Sequence, residues 1–347
     1  MGQNACNKAI DVAVVGAGPA GLGAGLYTAR AGLQTMVFGD RYQSQLARAE
    51  IIENYPAQIT PLSGFELVEI LAQHAMKFGA LIDDQEIRQI RRDGDLFLLY
   101  TSGGECYSAY AVILAMGTKR RQLGVPGEQK YYGQGVAYCT ICDGPLFRDM
   151  PVAVIGGGEE AAAAALRMRS IASSVDWIIP LARGGPESPL PESVSASPDV
   201  TIFEGAQIIE IVGESTGVSG VRISMNGDEQ IRPARGVFLE VGLLPASMLA
   251  IDLGVLVDKD QFIEVEVGQR TNVPGIYAAG DITGHRARQT VVSAGEGATA
   301  AVAAVDYIKA NNLGGDRKSL KLIQWGTTPS SSPPRDEPSA GDEFVEA

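Results

Sequence analysis

One pattern occurs twice in this chain, and each copy narrows the fold severely. Ala9 to Val15 is a short run, rich in β-branched residues, that ends at a glycine. It reads as a buried parallel strand. Gly16-Ala17-Gly18-Pro19-Ala20-Gly21 follows at once, then a helical stretch from Leu22 to about Ala31. Strand, GxGxxG and helix in succession form a dinucleotide fingerprint. The glycines permit a tight turn and let the backbone approach a pyrophosphate, which the helix N-terminus stabilises. Pro151 to Ile155 is again a strand, and Gly156-Gly157-Gly158-Glu159-Glu160-Ala161 is a second fingerprint of the GxGxxA form. Ala161 to Arg169 is rich in strong helix formers. The expected class is therefore α/β, with two Rossmann-like, three-layer nucleotide-binding domains of similar plan.

The intervening sequence fills in that plan. Gln34 to Phe38 is the next strand and ends at Gly39-Asp40. Asp40 is a candidate for ribose hydroxyls, offset a little from the usual spacing of ~20, and equally a solvated turn acid. Gly64 to Phe78 alternates as an amphipathic helix with Leu67, Ile70, Leu71 and Ala75 on one face. Strand-like runs flank the turn at Arg92-Asp93-Gly94-Asp95, and another turn sits at Gly103-Gly104. Tyr110 to Ala115 is a further apolar strand, closed by Met116-Gly117. In the second unit Val175 to Ile179 is a strand, Arg183 to Pro198 a loop rich in Gly, Pro and Ser, and two strands surround Asn226-Gly227-Asp228. Thr271 to Asp281 is a strand running into Gly-Asp, followed by Arg288-Gln289-Thr290 and a helix from about Val292 to Ala310. Residues 326–347, dominated by Thr, Ser, Pro and acids, read as a disordered tail.

Just before the second fingerprint stands Cys139-Thr140-Ile141-Cys142-Asp143. Two cysteines at this spacing can close a small redox-active disulfide, and the adjacent acid can move a proton. A zinc site wants a second Cys or His pair at ligand spacing. Cys6 and Cys106 form no such pair, and His74 and His285 lie far apart, so no metal is expected. An inert surface disulfide is the bland alternative. Four cysteines are too few for a disulfide-stapled secreted scaffold. The polar segment Met1 to Ala9 does not read as a signal peptide, and no stretch approaches the ~20 apolar residues of a membrane span. These features predict a soluble protein of a reducing cytoplasm, where a CxxC is catalytic rather than structural. A net charge of −13 argues against nucleic acid and disfavours long-range attraction to acidic proteins.

These motifs, in this order, resemble the low-molecular-weight thioredoxin reductases over roughly Asp11 to Tyr307. The likeness is carried by Gly16 to Gly21, Glu53-Asn54-Tyr55-Pro56, Cys139 to Asp143, and Gly280-Asp281 with Arg288-Gln289-Thr290. It implies an FAD domain in two segments, 1–120 and 249–325, with the second Rossmann-like domain, 121–248, inserted into it and carrying the CxxC. It also implies a homodimer, rotation between domains, and a thioredoxin-like protein disulfide as partner. Cys142 would face the flavin C4a as the charge-transfer thiolate, Cys139 would attack the partner disulfide, and Asp143 would be the general acid/base. A CxxC environment brings a thiol pKa to ~7 or lower, which suits exchange at neutral pH. For FAD the resemblance points to Gly16, Gly18, Pro19, Ala20 and Gly21 at the pyrophosphate. It puts Gln45, Leu46 and Asn54 near the isoalloxazine, Ala115 and Gly117 at the crossover, Gly280 and Asp281 on the ribityl chain, and Arg288, Gln289 and Thr290 along the flavin edge.

The chain also departs from that family. The strand after the second fingerprint normally ends in a His-Arg-Arg segment that holds the NADPH 2′-phosphate, whereas Ile179-Pro180-Leu181-Ala182-Arg183 stands here. A dianionic phosphate needs charge-assisted donors, and Pro, Leu and Ala supply none. Asp176 precedes the strand end, so no acid clearly replaces the basic pair to favour NADH. Glu159 and Glu160 add negative charge where a pyrophosphate would approach. NADPH is therefore not the expected donor. Gly156, Gly158 and Ala161 remain, either as a packing turn or as the seat of a dinucleotide without a 2′-phosphate, such as a second FAD. A conventional NADPH-dependent reductase, a ferredoxin-dependent one and a non-catalytic flavin redox sensor are the alternatives. Lys318 to Trp325 extends beyond the family's usual end, as a cover over a flavin face or a loosely held end.

Overall fold

The computed structural model describes residue 6 and residues 8–180, 199–285 and 287–313. The loop expected over 183–198, Trp325 and the tail over 326–347 lie outside the described residues. The chain opens with β1 (Lys8–Ala9), β2 (Val12–Val15), α1 (Pro19–Arg30), β3 (Thr35–Phe38), α2 (Gly64–Lys77) and β4 (Leu81–Asp83). A meander follows, β5 (Ile87–Asp93), β6 (Leu96–Thr101) and β7 (Cys106–Ala109), then β8 (Ala111–Leu114) and β9 (Thr118–Arg120). Next come β10 (Val136–Ala137), β11 (Pro151–Ile155), α3 (Gly158–Arg169), β12 (Ser174–Pro180), β13 (Val200–Glu214), β14 (Gly217–Met225), β15 (Asp228–Pro233) and β16 (Gly236–Leu239). The chain returns through β17 (Leu243–Pro245), the short α4 (Met248–Ile251), β18 (Ile276–Ala278) and α5 (Thr290–Ala310).

The fold is α/β, with two mainly parallel sheets typical of two Rossmann-like units. The first sheet has the order β18-β8-β2-β3-β4, so it takes its last strand from beyond the whole second sheet. The second has the order β10-β16-β11-β12-β13-β14-β15. Strand alternation makes each unit three-layered. In the first, Val12, Val14 and Ile113 face α1 and α5, while Ala13, Val15, Val112 and Leu114 face the β5–β7 meander through Phe97 and Leu99. In the second, Val152 and Val154 face α3, and Ala153 and Ile155 face Ile211, Val221 and Ile223 of β13 and β14. β9 and β17 pair antiparallel, Thr118 opposite Pro245 and Arg120 opposite Leu243, so both passages between the sheets run side by side.

Helix α1 is shifted slightly from the expected span and starts at Pro19, whose fixed φ suits a first helical turn. It packs on α5 through small residues: a Cβ on Gly23 would strike the Ala294 carbonyl, and one on Gly297 the Ala20 carbonyl. The buried face of α2 consists of Gly64, Leu67, Val68, Ala72 and Ala75. Ile70, expected inside, is 48 % exposed, because the observed stripe follows the 67/68/72/75 spacing. A complete capping box of Ser63 and Glu66 starts this helix. The cysteines without a sequence signal do find each other. Cys6 and Cys106 form a disulfide, with Cα atoms 4.8 Å apart, beside the parallel β1–β7 pairing. A separation of 100 residues hides such a pair from any reading of spacing.

The same hydrogen bond closes each fingerprint turn onto its sheet. Gly16 donates its N–H to Phe38 O at 2.8 Å, and Gly156 its N–H to Ile178 O at 3.0 Å. The second unit adds the buried Trp177, whose Nε1 donates to the Gly156 carbonyl at 2.9 Å. Trp177→Phe leaves that carbonyl without its donor and is expected to cost about 1–3 kcal/mol, read as a lower urea midpoint.

Candidate redox site

The first fingerprint builds an open cradle. Gly16 has φ +112°, and a Cβ there would run into the Ala115 carbonyl; one on Gly21 would run into the Gly16 carbonyl. These two glycines are required by packing. Gly18 is different: a Cβ there meets nothing nearer than Ser44 Cβ at 3.8 Å, and Gly117 (φ +64°) faces open space. Gly18 also caps α1 without any side-chain acceptor, so the N–H groups of the first turn are left for an anion. Ala20 is buried under α5, and Pro19 opens α1 beside it.

The other predicted cofactor residues are distributed around this opening. Both Asp40 oxygens are engaged locally, one accepting from Tyr42 N at 2.9 Å and the other from Gln43 Nε2 at 3.0 Å. That is the turn-acid arrangement. Gln45 Nε2 donates to the carbonyl and hydroxyl oxygens of Thr118, at 2.9 and 3.0 Å, and so ties its loop to the crossover after Gly117. Leu46 turns inward and packs with Leu22, Leu67 and Val68, so only its backbone remains toward the cradle. Ala115 is buried at the end of β8, its N–H on Val15 O at 2.7 Å. Gly280 (φ +79°) follows β18, and its N–H donates to Glu296 Oε2 at 2.7 Å. The sequence offered no sign of Glu296, a buried acid inside α5. Asp281 contacts Ser293 Oγ at 3.4 Å. Burial pushes its carboxyl above the usual range, against the pull of Arg288.

The segment before α5 reaches across to the cysteines. Asn54 Nδ2 donates to Gln289 Oε1 at 3.0 Å, and Gln289 Nε2 lies 4.0 Å from Cys142 Sγ. Thr290 begins α5. Arg288 Nη1 pairs with Glu160 Oε1 at 2.6 Å, its guanidinium lies 5.4 Å from the Phe262 ring centroid, and its Nε is buried with no hydrogen-bond partner among the described residues. Open space at Gly18 and Gly117, an uncapped helix start and an orphaned Arg288 Nε are what a flavin dinucleotide would fill. These residues fit that group.

Cys139 and Cys142 are joined as a disulfide, with Cα atoms 5.3 Å apart. The loop is one tight turn: Asp143 N donates to Cys139 O at 2.9 Å, and Gly144 N to Thr140 O at 3.2 Å. Cys142 N donates to Cys139 Sγ at 3.1 Å, a contact that favours the anionic form of that sulfur once reduced. Thr140 is buried, Cys142 exposed and Asp143 half-buried. Burial pushes the Asp143 carboxyl up; Arg120 opposes this and Glu50 adds to it. Arg120, missed in the sequence, also donates Nη1 to Tyr138 O at 2.6 Å, just ahead of Cys139.

The second fingerprint repeats the first turn with two acids added. Gly156 has φ +152° and lies flush against the Glu240 carbonyl, while a Cβ on Gly158 would meet nothing. Ala161 is fully buried. Gly157 caps α3 with no side-chain acceptor, but Glu159 and Glu160 occupy the first turn and offset the positive helix end themselves. Glu240 stands just beyond β16, the kind of strand end where α/β ligands bind. Burial, then the Glu160 charge, push its carboxyl up to about 7, while Arg120, Arg167 and Arg288 pull it back. Asp176 is held by Arg232, Nε to Oδ2 at 2.8 Å and Nη2 to Oδ1 at 3.3 Å. Residues 181–183, where a 2′-phosphate would be gripped, lie outside the described residues.

Residues 10–298 match the family model described as pyridine nucleotide-disulphide oxidoreductase. A thioredoxin reductase of Treponema pallidum is 36% identical over 86% of this chain and 97% of its own length. A protein of Ferdinandcohnia aciditolerans named NADH dehydrogenase is 35% identical over 90% of this chain. The chain spans only 60% of that longer relative. Among solved structures, the thioredoxin reductase of Streptococcus pyogenes superposes with a TM-score of 0.80 at 32% identity, over 88% of this chain and 99% of that one.

The raised Glu240 carboxyl has a signed consequence. Unfolded, it ionises near 4.5; folded, near 7. Between these values the folded chain keeps a proton that the unfolded chain has released, so this position's contribution falls as pH rises through the window and levels off above it. Glu240→Gln removes the titration. Its urea midpoint, relative to the parent chain, is expected to climb between about pH 4.5 and about pH 7.5 and then stay flat.

Proposed function

Since the chain belongs to the pyridine nucleotide-disulphide oxidoreductase family and is a flavin disulfide oxidoreductase of the thioredoxin reductase kind, we propose that it passes electrons through Cys139–Cys142 to the disulfide of a thioredoxin-like protein, from a donor other than NADPH. The observation that carries the first half is the line Asn54–Gln289–Cys142, which sets an exposed sulfur at the mouth of the flavin cradle. Bound FAD supplies a two-electron carrier there. Gly16, Gly18 and Gly21 with the first turn of α1 hold its pyrophosphate; Asp281 serves the ribityl chain; Gln45, Asn54 and Arg288 to Thr290 line the ring. The division into 1–120 with 249–325, and 121–248, is supported by the β9–β17 pair, where both crossings lie together. A homodimer and a cytoplasmic location complete the reading.

The chemistry of the chain's own groups follows from the loop. Two electrons and two protons open the Cys139–Cys142 bond to a dithiol. Asp143 takes the Cys139 proton as the thiolate attacks one sulfur of the partner disulfide; a mixed disulfide forms, and the departing sulfur takes that proton from Asp143. Cys142 then gives its own proton to Asp143 and attacks Cys139; the second partner sulfur leaves with that proton, and the internal bond is restored. Asp143 suits this work because burial holds its carboxyl above the usual range, which keeps a proton available.

The donor half rests on charge. Glu159, Glu160 and Glu240 surround the second fingerprint, and Arg288 is committed to Glu160. Any dinucleotide pyrophosphate would bring further negative charge to this point; what tells against NADPH in particular is the sequence Pro180-Leu181-Ala182, which supplies no charge-assisted donor for a 2′-phosphate. The retained turn at Gly156 and Gly158 favours, as second reading, a dinucleotide lacking a 2′-phosphate, such as a second FAD. Two measurements test this. Anaerobic mixing with NADPH is expected to leave the flavin colour unchanged over seconds; prompt bleaching would establish NADPH as donor. Flavin released per chain on denaturation separates a single FAD served by an outside donor such as ferredoxin from two. Cys139→Ser and Cys142→Ser are expected to keep the flavin and lose thioredoxin reduction. Reduced parent protein that reduces no thioredoxin would instead mark a redox sensor.

A further inference from the structure

We propose that Arg167 is a positioning residue for the disulfide loop: held on the Thr140 hydroxyl, its guanidinium fixes the Cys139–Cys142 turn and offsets the negative end of α3 that packs against it. This rests on the reading of Cys139 and Cys142 as the exchanging pair.

Thr140 stands between the two cysteines and is 2% exposed. Its Oγ1 accepts a hydrogen bond from Arg167 Nη1 at 2.5 Å. Arg167 lies in the last turn of α3, so the helix that begins in the second fingerprint ends on the redox loop. A helix C-terminus carries the equivalent of roughly half a negative charge, and this one is in direct contact with the loop. A Cβ on Gly144 would lie 3.0 Å from Met168 Sδ and 3.6 Å from Ile171 Cδ1, and Asp149 N donates to the Ile171 carbonyl at 3.0 Å. Negative potential beside a thiol disfavours its thiolate, the species that exchanges. Arg167 places a whole positive charge on the loop itself, at Thr140.

The other charged groups around the loop act at other points: Arg169 shares the last turn of α3, and the Arg120 charge acts on Asp143. Asp143 follows Cys142 directly and Glu50 adds negative charge near it. Arg120 grips the Tyr138 carbonyl from β9. Glu240, beyond β16, is attracted to Arg120, Arg167 and Arg288, and Arg288 is itself paired with Glu160. Arg120 therefore fixes the backbone before Cys139, and Arg167 the side chain after it.

The test uses the full-length flavin-loaded chain, reduced with dithiothreitol and desalted anaerobically. Iodoacetamide trapping across pH, read by peptide mass spectrometry, separates Cys139 and Cys142 from Cys6 and Cys106. Arg167→Met is expected to raise the pH midpoint of the more reactive thiol of the Cys139–Cys142 pair by about one unit, and to slow its trapping at neutral pH about tenfold. Arg167→Lys restores at least half of that shift. Thr140→Val, which keeps the charge but releases it, moves the midpoint the same way by less. An unchanged midpoint in Arg167→Met, with the flavin spectrum and urea midpoint of the parent, overturns the assignment. If Arg167→Met does not fold, an unchanged midpoint in Thr140→Val overturns it. Thioredoxin reduction that survives Cys139→Ser overturns the pair's role and this assignment together.

Discussion

In each unit a glycine is pressed against the first carbonyl past a neighbouring strand, Gly16 on Ala115 and Gly156 on Glu240. No other residue type fits that gap, and much else is set by it. The turn brings a helix start to the carboxyl end of the sheet, and it opens the space in front of Gly18 and Gly158. The two copies obey one geometry and differ in charge. At the first, the helix start is left bare. At the second, Glu159 and Glu160 supply the negative charge that a ligand would otherwise bring. One steric rule thus gives two sites with different appetites for anions.

The disulfide loop sits between those sites and is held from both. Gln289, from the segment before α5, reaches Cys142, while Arg167, from the helix of the second fingerprint, reaches Thr140. Arg288 and Glu160 join the same two bodies a short way off. Gln289 and Arg288 thus tie the cysteine-bearing unit to the cradle, while Arg167 holds the loop to its own unit. Exposed ion pairs such as Arg288–Glu160 contribute little stability by themselves, so their meaning here is one of orientation.

The α/β class, the two fingerprints and the CxxC were legible because each is a local pattern: a strand, glycines at fixed offsets and a helix. The β5–β6 hairpin and the strands around Asn226 were legible for the same reason, through their turns. What escaped was long-range. Glu296 supports Gly280 from inside a helix, Arg120 and Arg167 reach the loop from other elements, and Cys6 meets Cys106 across the sheet. None of these has a spacing that marks it. Leu46 shows a local packing choice that its motif does not announce: its side chain is drawn into the cluster beneath α1 and α2 by the gain from burying it.

The antiparallel pairing of β9 with β17 has a mechanical corollary. Two independent tethers would let the inserted unit slide, tilt or drift away. Two tethers zipped into a ribbon behave as one strap, because lengthening either alone would tear the rungs between them. Such a strap yields most easily to torsion about its own long axis. Any displacement of the unit built on the second sheet would therefore meet least resistance as rotation about that ribbon.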